Sequence, residues 1–186
     1  MPVQTIVDDA AQHMRKAVEH VQQQLAKVRT GRASASMLDA VKVEYYGEPT
    51  PLAQVGSVSV PDARSIMIQP WDRTALQSIE KAILAANLGI TPQNDGQVIR
   101  ISVPPLTEER RKDIVKQCKK MAEDGKLAVR NIRRDANEEL KKAEKTEHFS
   151  EDERKRGEDD VQKHTDKFVA EIDKVLAAKE VEVMEE

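Results

Sequence analysis

The sequence predicts an α+β protein, an elongated antiparallel three-helix bundle with a small β/α/β domain inserted after its first helix. Three observations predict this. Residues 3–29, 108–146 and 150–179 place apolar side chains every three or four positions, as one buried helical stripe requires. Between the first two of these stretches the pattern alternates instead, and five of the seven glycines and most of the prolines fall there. Aromatic residues make up 3% of the chain and charged residues 34%, a balance that suits long solvated helices better than one broad core.

Each element follows from local patterns. In the first helix Ile6, Ala10, Met14, Ala17, Val21, Leu25 and Val28 form the stripe, and Gly31 is the stop. Val41, Val43 and Tyr45 then alternate with Lys42, Glu44 and Tyr46 until Gly47-Glu48-Pro49 breaks the run. Val58 and Val60 mark a second strand, and Ile66 and Ile68 a third. Thr74 to Asn87 reads as one amphipathic helix with Leu76, Ile79, Ile83 and Leu84 inward. After the turn at Asn94-Asp95-Gly96, Val98, Ile99, Ile101 and Val103 give the last strand.

Pro104-Pro105 ends the insert, and Thr107 with Glu108 and Glu109 opens the second long helix. Its stripe is Ile114, Cys118, Met121, Gly125, Ala128, Ile132, Ala136, Leu140 and Ala143. Ser150 and Glu153 form a capping box for the third helix, which buries Val161, His164, Phe168, Ile172, Val175 and Leu176. The acidic tail from Val181 is expected to fray. The bundle thus comprises residues 1–30 and 106–186, and the insert 31–105. The first helix enters the insert and the second leaves it. Thr30, Gly31, Pro104 and Pro105 are therefore expected to form a two-stranded hinge between the arms of an L.

Composition limits the function. The net charge is −3, so attraction to nucleic acid must come from a local patch. The single Cys118 excludes an intrachain disulfide and reads as a small core residue. No run of eighteen apolar residues suggests a membrane span, and the start has no basic segment followed by an apolar one, so a cytoplasmic location is expected. No Walker loop, GxGxxG, HExxH, CxxC or GxSxG pattern occurs. Neither enzymatic activity, nor a cofactor, metal or small-molecule substrate, is expected.

The stretch AVRNIRRDANEELKK points to a binding surface. At about 100° per residue, Lys126, Arg133, Arg134, Asn137 and Lys141 fall within roughly 60° of Arg130. Lys112, Lys116 and Lys119 continue the row, and Glu123 interrupts it. Residues 107–146 hold 13 Lys+Arg against 9 Asp+Glu, while residues 147–186 hold 7 against 14. A charge run on a long helix is usually a solvated face carrying i,i+4 pairs. Three details favour a phosphate-binding ridge. Arginine is concentrated at its centre, acidic partners at i±4 are few, and Asn137 adds an amide that could read a base edge or ribose. Few aromatics interleave, so structured RNA read by shape fits better than a stacked single strand. Arg29, at the first joint, joins the set. The alternative is a helical co-chaperone or interaction adaptor that binds no RNA. The sequence has no second exposed apolar stripe for a dimer, so a monomer is expected.

Five separated stretches also carry a resemblance: KVRTGRAS, VEYYGEPTPL, VPPLTEERRKDI, AVRNIRRDAN and DDVQKHTDK. Over essentially its whole length the chain resembles the bacterial ribosome recycling factors, though it has Ala35 where that family often has proline. The resemblance implies a helical domain that binds large-subunit ribosomal RNA after termination and a small domain engaged by elongation factor G. GTP hydrolysis by that partner then separates the subunits. It also implies that Arg130 and Arg133 contact RNA.

Overall fold

The computed structural model describes residues 2–185. In chain order its elements are α1 (Val3–Ala26), β1 (Lys42–Tyr45), β2 (Glu48–Pro51), β3 (Gly56–Asp62), β4 (Ser65–Pro70), α2 (Leu76–Ala85), β5 (Thr91–Asn94), β6 (Ile99–Ser102), α3 (Glu108–Glu147) and α4 (Glu151–Met184). They form two compact units, residues 2–29 with Glu108–Glu185, and Thr30–Thr107.

The first unit is a three-helix bundle. Gly157 of α4 meets Val3 of α1 and Leu140 of α3, while Gly125 of α3 meets Val21 and Ile172, so α3 runs opposite to the other two. Its interior is a column of aliphatic side chains around Phe168, Met14, Leu25, Leu140 and Ile172. Among the described residues Thr165 is the one buried polar residue of the bundle interior, and its hydroxyl donates to the Val161 carbonyl one turn back. The Ser150–Glu153 capping box is reciprocal, with both side chains taking backbone amides at the start of α4. Arg154 then ties that first turn to Glu144 near the end of α3.

Several expectations about the helices need correction. α1 stops at Ala26 rather than residue 29, because the amides of Lys27 and Val28 both fold back on the Leu25 carbonyl. Val7 and Val18 are buried in α1, while Ala17 and Val28 are half-buried. In α3 the buried positions are Ala122 and Val129, and Met121, Ala128 and Ile132 sit at the edge. In α4 Gly157, Thr165 and Val183 are buried, whereas His164, Val175 and Leu176 are half-buried. The tail does not fray at Val181. The helix continues to Met184 because Val183 is fully buried, which holds the last turn in place.

In the second unit β3, β4, β6 and β5 form a four-stranded antiparallel sheet, and β1 with β2 a separate hairpin. Ile66 pairs with Ile101 and Ile68 with Ile99, so the central strands present one isoleucine face. Ile79 and Ile83 of α2 and Val43 of β1 belong to the same core. Strands β2 and β5, EPTP and TPQN, are absent from the sequence expectation. α2 is also shorter than Thr74–Asn87: a 3₁₀ turn over Arg73–Ala75 precedes it, capped by Asp72, and Leu84 points to solvent at 55% exposure. The Thr74 hydroxyl and amide both donate to Asp72 and hold its carboxyl below the usual range.

The β1–β2 turn is unusual. Tyr45 pairs with Glu48, leaving a two-residue loop whose members, Tyr46 and Gly47, both have positive φ, 50° and 80°. That is a type I′ hairpin, in which asparagine is the favoured first residue and a bulky side chain is strained. Replacing Tyr46 by asparagine is therefore expected to stabilise this unit by about 1 kcal/mol, measurable as a higher urea midpoint at unchanged slope.

Candidate nucleic-acid interface

α3 carries the cationic residues, and its length follows from its composition. Forty residues without proline, with Glu108 and Glu109 in the first turn and Lys145 in the last, oppose the helix dipole correctly at both ends. It spans roughly 60 Å. Gly125 is the only glycine within it, and the packed neighbours described above hold the helix there.

Its buried residues, Ile114, Cys118, Ala122, Gly125, Val129, Ala136, Leu140 and Ala143, fix which way the charges face. They centre roughly 240° from Arg130, so the free face centres near 60°. Lys116, Arg130, Arg134 and Lys141 lie on it, and all four are exposed. None of the four takes part in an ion pair or side-chain hydrogen bond with the other described residues. Lys112, in line with Arg130, and Lys119, beside this row, are also exposed; Lys112 pairs with Glu108 at 3.5 Å. That pair is exposed on both sides and constrains little.

Three residues of the row lie instead on the flank next to α4. Lys126 does not belong to a free ridge. Its Nζ sits 2.8 Å from Asp173 of α4 and 2.8 Å from Glu123, and its side chain is 13% exposed. The hydrogen bond to Asp173 is the main reason its pKa is raised. With its charge already matched twice, Lys126 is a strut between helices. A Lys126→Gln change is expected to alter affinity for folded RNA by no more than about twofold, readable by filter binding.

Arg133 is different. Its Nη1 donates to Oε1 of Gln162 at 3.0 Å, and Gln162 donates in turn to Asp166 at 2.9 Å. The acceptor on Arg133 is a neutral amide, so the contact orients the guanidinium without cancelling its charge. One turn further, Asn137 is half-buried on the same flank, and its Oδ1 has no protein partner. Arg29 lies past the end of α1, exposed, outside the row on α3. The groove between α1 and α3 is lined by Asp9, His13, Asp135 and Glu139, which disfavours a polyanion there.

A family model described as ribosome recycling factor matches residues 21–184. The chain belongs to the ribosome recycling factor family. Among its relatives, the ribosome-recycling factor of Nitratidesulfovibrio vulgaris is 56% identical over the whole of both chains. That of Oleidesulfovibrio alaskensis is 59% identical, covering 97% of this chain and 98% of the relative. A solution structure of the ribosome recycling factor superposes with a TM-score of 0.72 at 44% identity, covering 98% of this chain and 97% of the other. The Thermus thermophilus factor, described with the Escherichia coli elongation factor G on the E. coli post-termination complex, gives a TM-score of 0.62 at 46% identity over the full length of both.

Within this recycling factor, α3 brings Arg130, Arg133 and Arg134 into one neighbourhood of a rigid rod. Two more exposed lysines, Lys120 and Lys145, lie near the centre of the same face and were not singled out from the sequence. With Val129 and Ala122 in the stripe, as the structure has them, the free face rotates by roughly 40° and includes both. No group of His, Cys, Asp and Glu among the described residues could hold a metal ion. No helix of the described residues is long and apolar enough to cross a membrane.

Proposed function

We propose that this recycling factor docks on large-subunit ribosomal RNA through α3 and, with elongation factor G and GTP hydrolysis by that factor, splits the post-termination ribosome in the cytoplasm. The observation that carries the docking step is the arginine cluster of α3, with Arg130 and Arg134 on the face away from the buried stripe and Arg133 on the adjoining flank. Arg130 and Arg134 are unmatched by protein carboxylates, and Arg133 is oriented by a neutral glutamine. Guanidinium groups so placed suit phosphate oxygens, which accept paired N–H donors. Lys112 and Lys116 extend the contact, and Asn137 offers an amide beside it.

The small unit, Thr30–Thr107, is the part on which the partner acts, and Thr30, Gly31, Pro104 and Pro105 are the hinge. Two features support that assignment. Gly31 has φ 84°, where an L side chain is strained, and its missing Cβ leaves room for Leu106, whose Cγ would stand 2.8 Å away. Pro104 and Pro105 contribute no backbone donors, and the amide before them, that of Val103, donates to the Arg64 carbonyl at 2.7 Å. A rod fixed on RNA turns force on the small unit into torque at the docking site. The reaction so described makes and breaks no covalent bond on this chain, and the hydrolysis belongs to the partner.

Cosedimentation with isolated large subunits across a salt series tests the reading. Contact with several phosphates predicts affinity falling linearly in log–log form, with a slope of several units. Salt-independent binding, or no GTP-dependent splitting of post-termination ribosomes by the wild-type chain, overturns it.

A further inference from the structure

Two of the five aromatic side chains in this chain are displayed on the small unit. Tyr46, at the β1–β2 turn, is 83% exposed, and Trp71, just after β4, is 69% exposed. Two contacts made by Tyr45 link their segments. Tyr45 packs edge-on against Tyr46 with ring centroids 4.4 Å apart, and its hydroxyl lies 3.5 Å from Asp72, the residue after Trp71. Asp72 is itself fixed by Thr74, and the Trp71 amide donates to the Val55 carbonyl at 3.2 Å. The two rings therefore stand on a braced base.

Neither ring contributes to the core. Tyr46 holds a backbone conformation that favours asparagine, so the fold bears a local cost for a side chain that points to water. Exposed tryptophan and tyrosine on a rigid base are the residue types that dominate protein–protein hot spots. The charges nearby oppose a nucleic acid. On the same hairpin and segment Glu44, Glu48 and Asp72 outnumber Lys42 and Arg73, and Thr74 holds the Asp72 carboxyl below its usual range. Two exposed rings on segments with a net acidic balance fit a protein face offering apolar and cationic side chains, which add cation–π contacts to the rings.

We propose that Tyr46 and Trp71 are the anchor through which elongation factor G engages the small unit. The inference rests on the recycling function proposed above and adds the residues that meet the partner. The GTPase's contact face is expected to carry lysine or arginine beside an apolar pocket. The rings lie in the small unit and the RNA-facing arginines on α3 of the other unit, so the two binding steps are separable by mutation.

The test compares wild type, Trp71→Ala, Tyr46→Asn, the double variant and Trp71→Phe. The splitting rate of post-termination ribosomes is measured against elongation factor G concentration, with the recycling factor saturating. The double variant is expected to need at least about tenfold more elongation factor for half-maximal splitting and to reach the wild-type maximum, the pattern of a lost hot spot. Trp71→Phe, which keeps a ring, stays near wild type. Affinity for isolated large subunits is unchanged throughout. An unchanged half-saturation in the double variant overturns the proposal while leaving the recycling function standing. So does a loss of subunit affinity, which would make the patch a ribosome contact. If the double variant unfolds early, Tyr46→Asn alone carries the test, because its backbone is relieved rather than strained. Wild type that splits nothing at any concentration removes the function and the anchor together.

Discussion

The Arg130→Ala/Arg134→Ala double variant should bind large ribosomal subunits about a hundredfold or more weakly than wild type, because two charge-assisted contacts at roughly 1.5–3 kcal/mol each are lost. The salt dependence should change with it. Each phosphate neutralised contributes roughly 0.9 to the log–log slope on a duplex, so losing two should flatten it by about 2. Folding should be untouched. Both side chains are exposed and neither supports a neighbour, so the thermal midpoint stays where it was. Arg133→Ala is expected to combine two effects, since its Nη1 also holds Gln162. That makes the 130/134 pair the cleaner measurement. Binding that weakens without any change of slope would mean the two arginines act through the shape of the helix rather than on phosphate. Unaltered binding at matched salt would remove α3 as the docking element. Lys126→Gln is the internal control, a lysine from the same stretch whose charge is already satisfied by Asp173 and Glu123.

What could be read from the sequence was what is decided locally. The capping box at Ser150 needs only residues three apart, and the break at Pro104-Pro105 needs only two. The isoleucines of β4 and β6 announced themselves by alternation. Strands β2 and β5 did not, because EPTP and TPQN hold no alternating apolar residues; pairing with β1 and β6 makes them strands. The helix stripes were right in period and off in phase. Along α3 both Ala128 and Val129, and both Met121 and Ala122, satisfy the spacing, and only the shape of the facing helices selects one of each. The same reasoning accounts for Lys126. Its displacement from the ridge depends on Asp173, 47 residues away, and no local pattern encodes that pair. Val183 was hidden by its acidic neighbours, although one apolar side chain in the right phase suffices to hold the last turn of α4.

Gly125→Val should be the most damaging single change in the bundle, lowering its unfolding free energy by about 3 kcal/mol. Glycine inside an exposed helix ordinarily costs roughly 1 kcal/mol relative to alanine, so propensity alone would make its replacement by alanine favourable. Packing reverses the sign. A Cβ at position 125 would run into Cγ2 of Val21 and would stand 3.5 Å from Ile172 Cδ1. Valine cannot turn its methyl aside cheaply, because in a helix one χ1 rotamer dominates. The absent side chain is thus what lets α1 approach α3 midway along the rod. Even Gly125→Ala should destabilise, and Val21→Ala should relieve it. In a urea double-mutant cycle the pair should cost at least about 1 kcal/mol less than the sum of the single changes. Strict additivity would mean the close approach carries no strain. Subunit affinity offers a second reading of the same variants. Gly125 lies on the buried side of α3, away from Arg130 and Arg134, so any Gly125→Ala protein that remains folded should bind RNA with the wild-type salt slope. A changed slope would show that the straightness of the rod, and not only the identity of its arginines, sets the spacing at which phosphates are met.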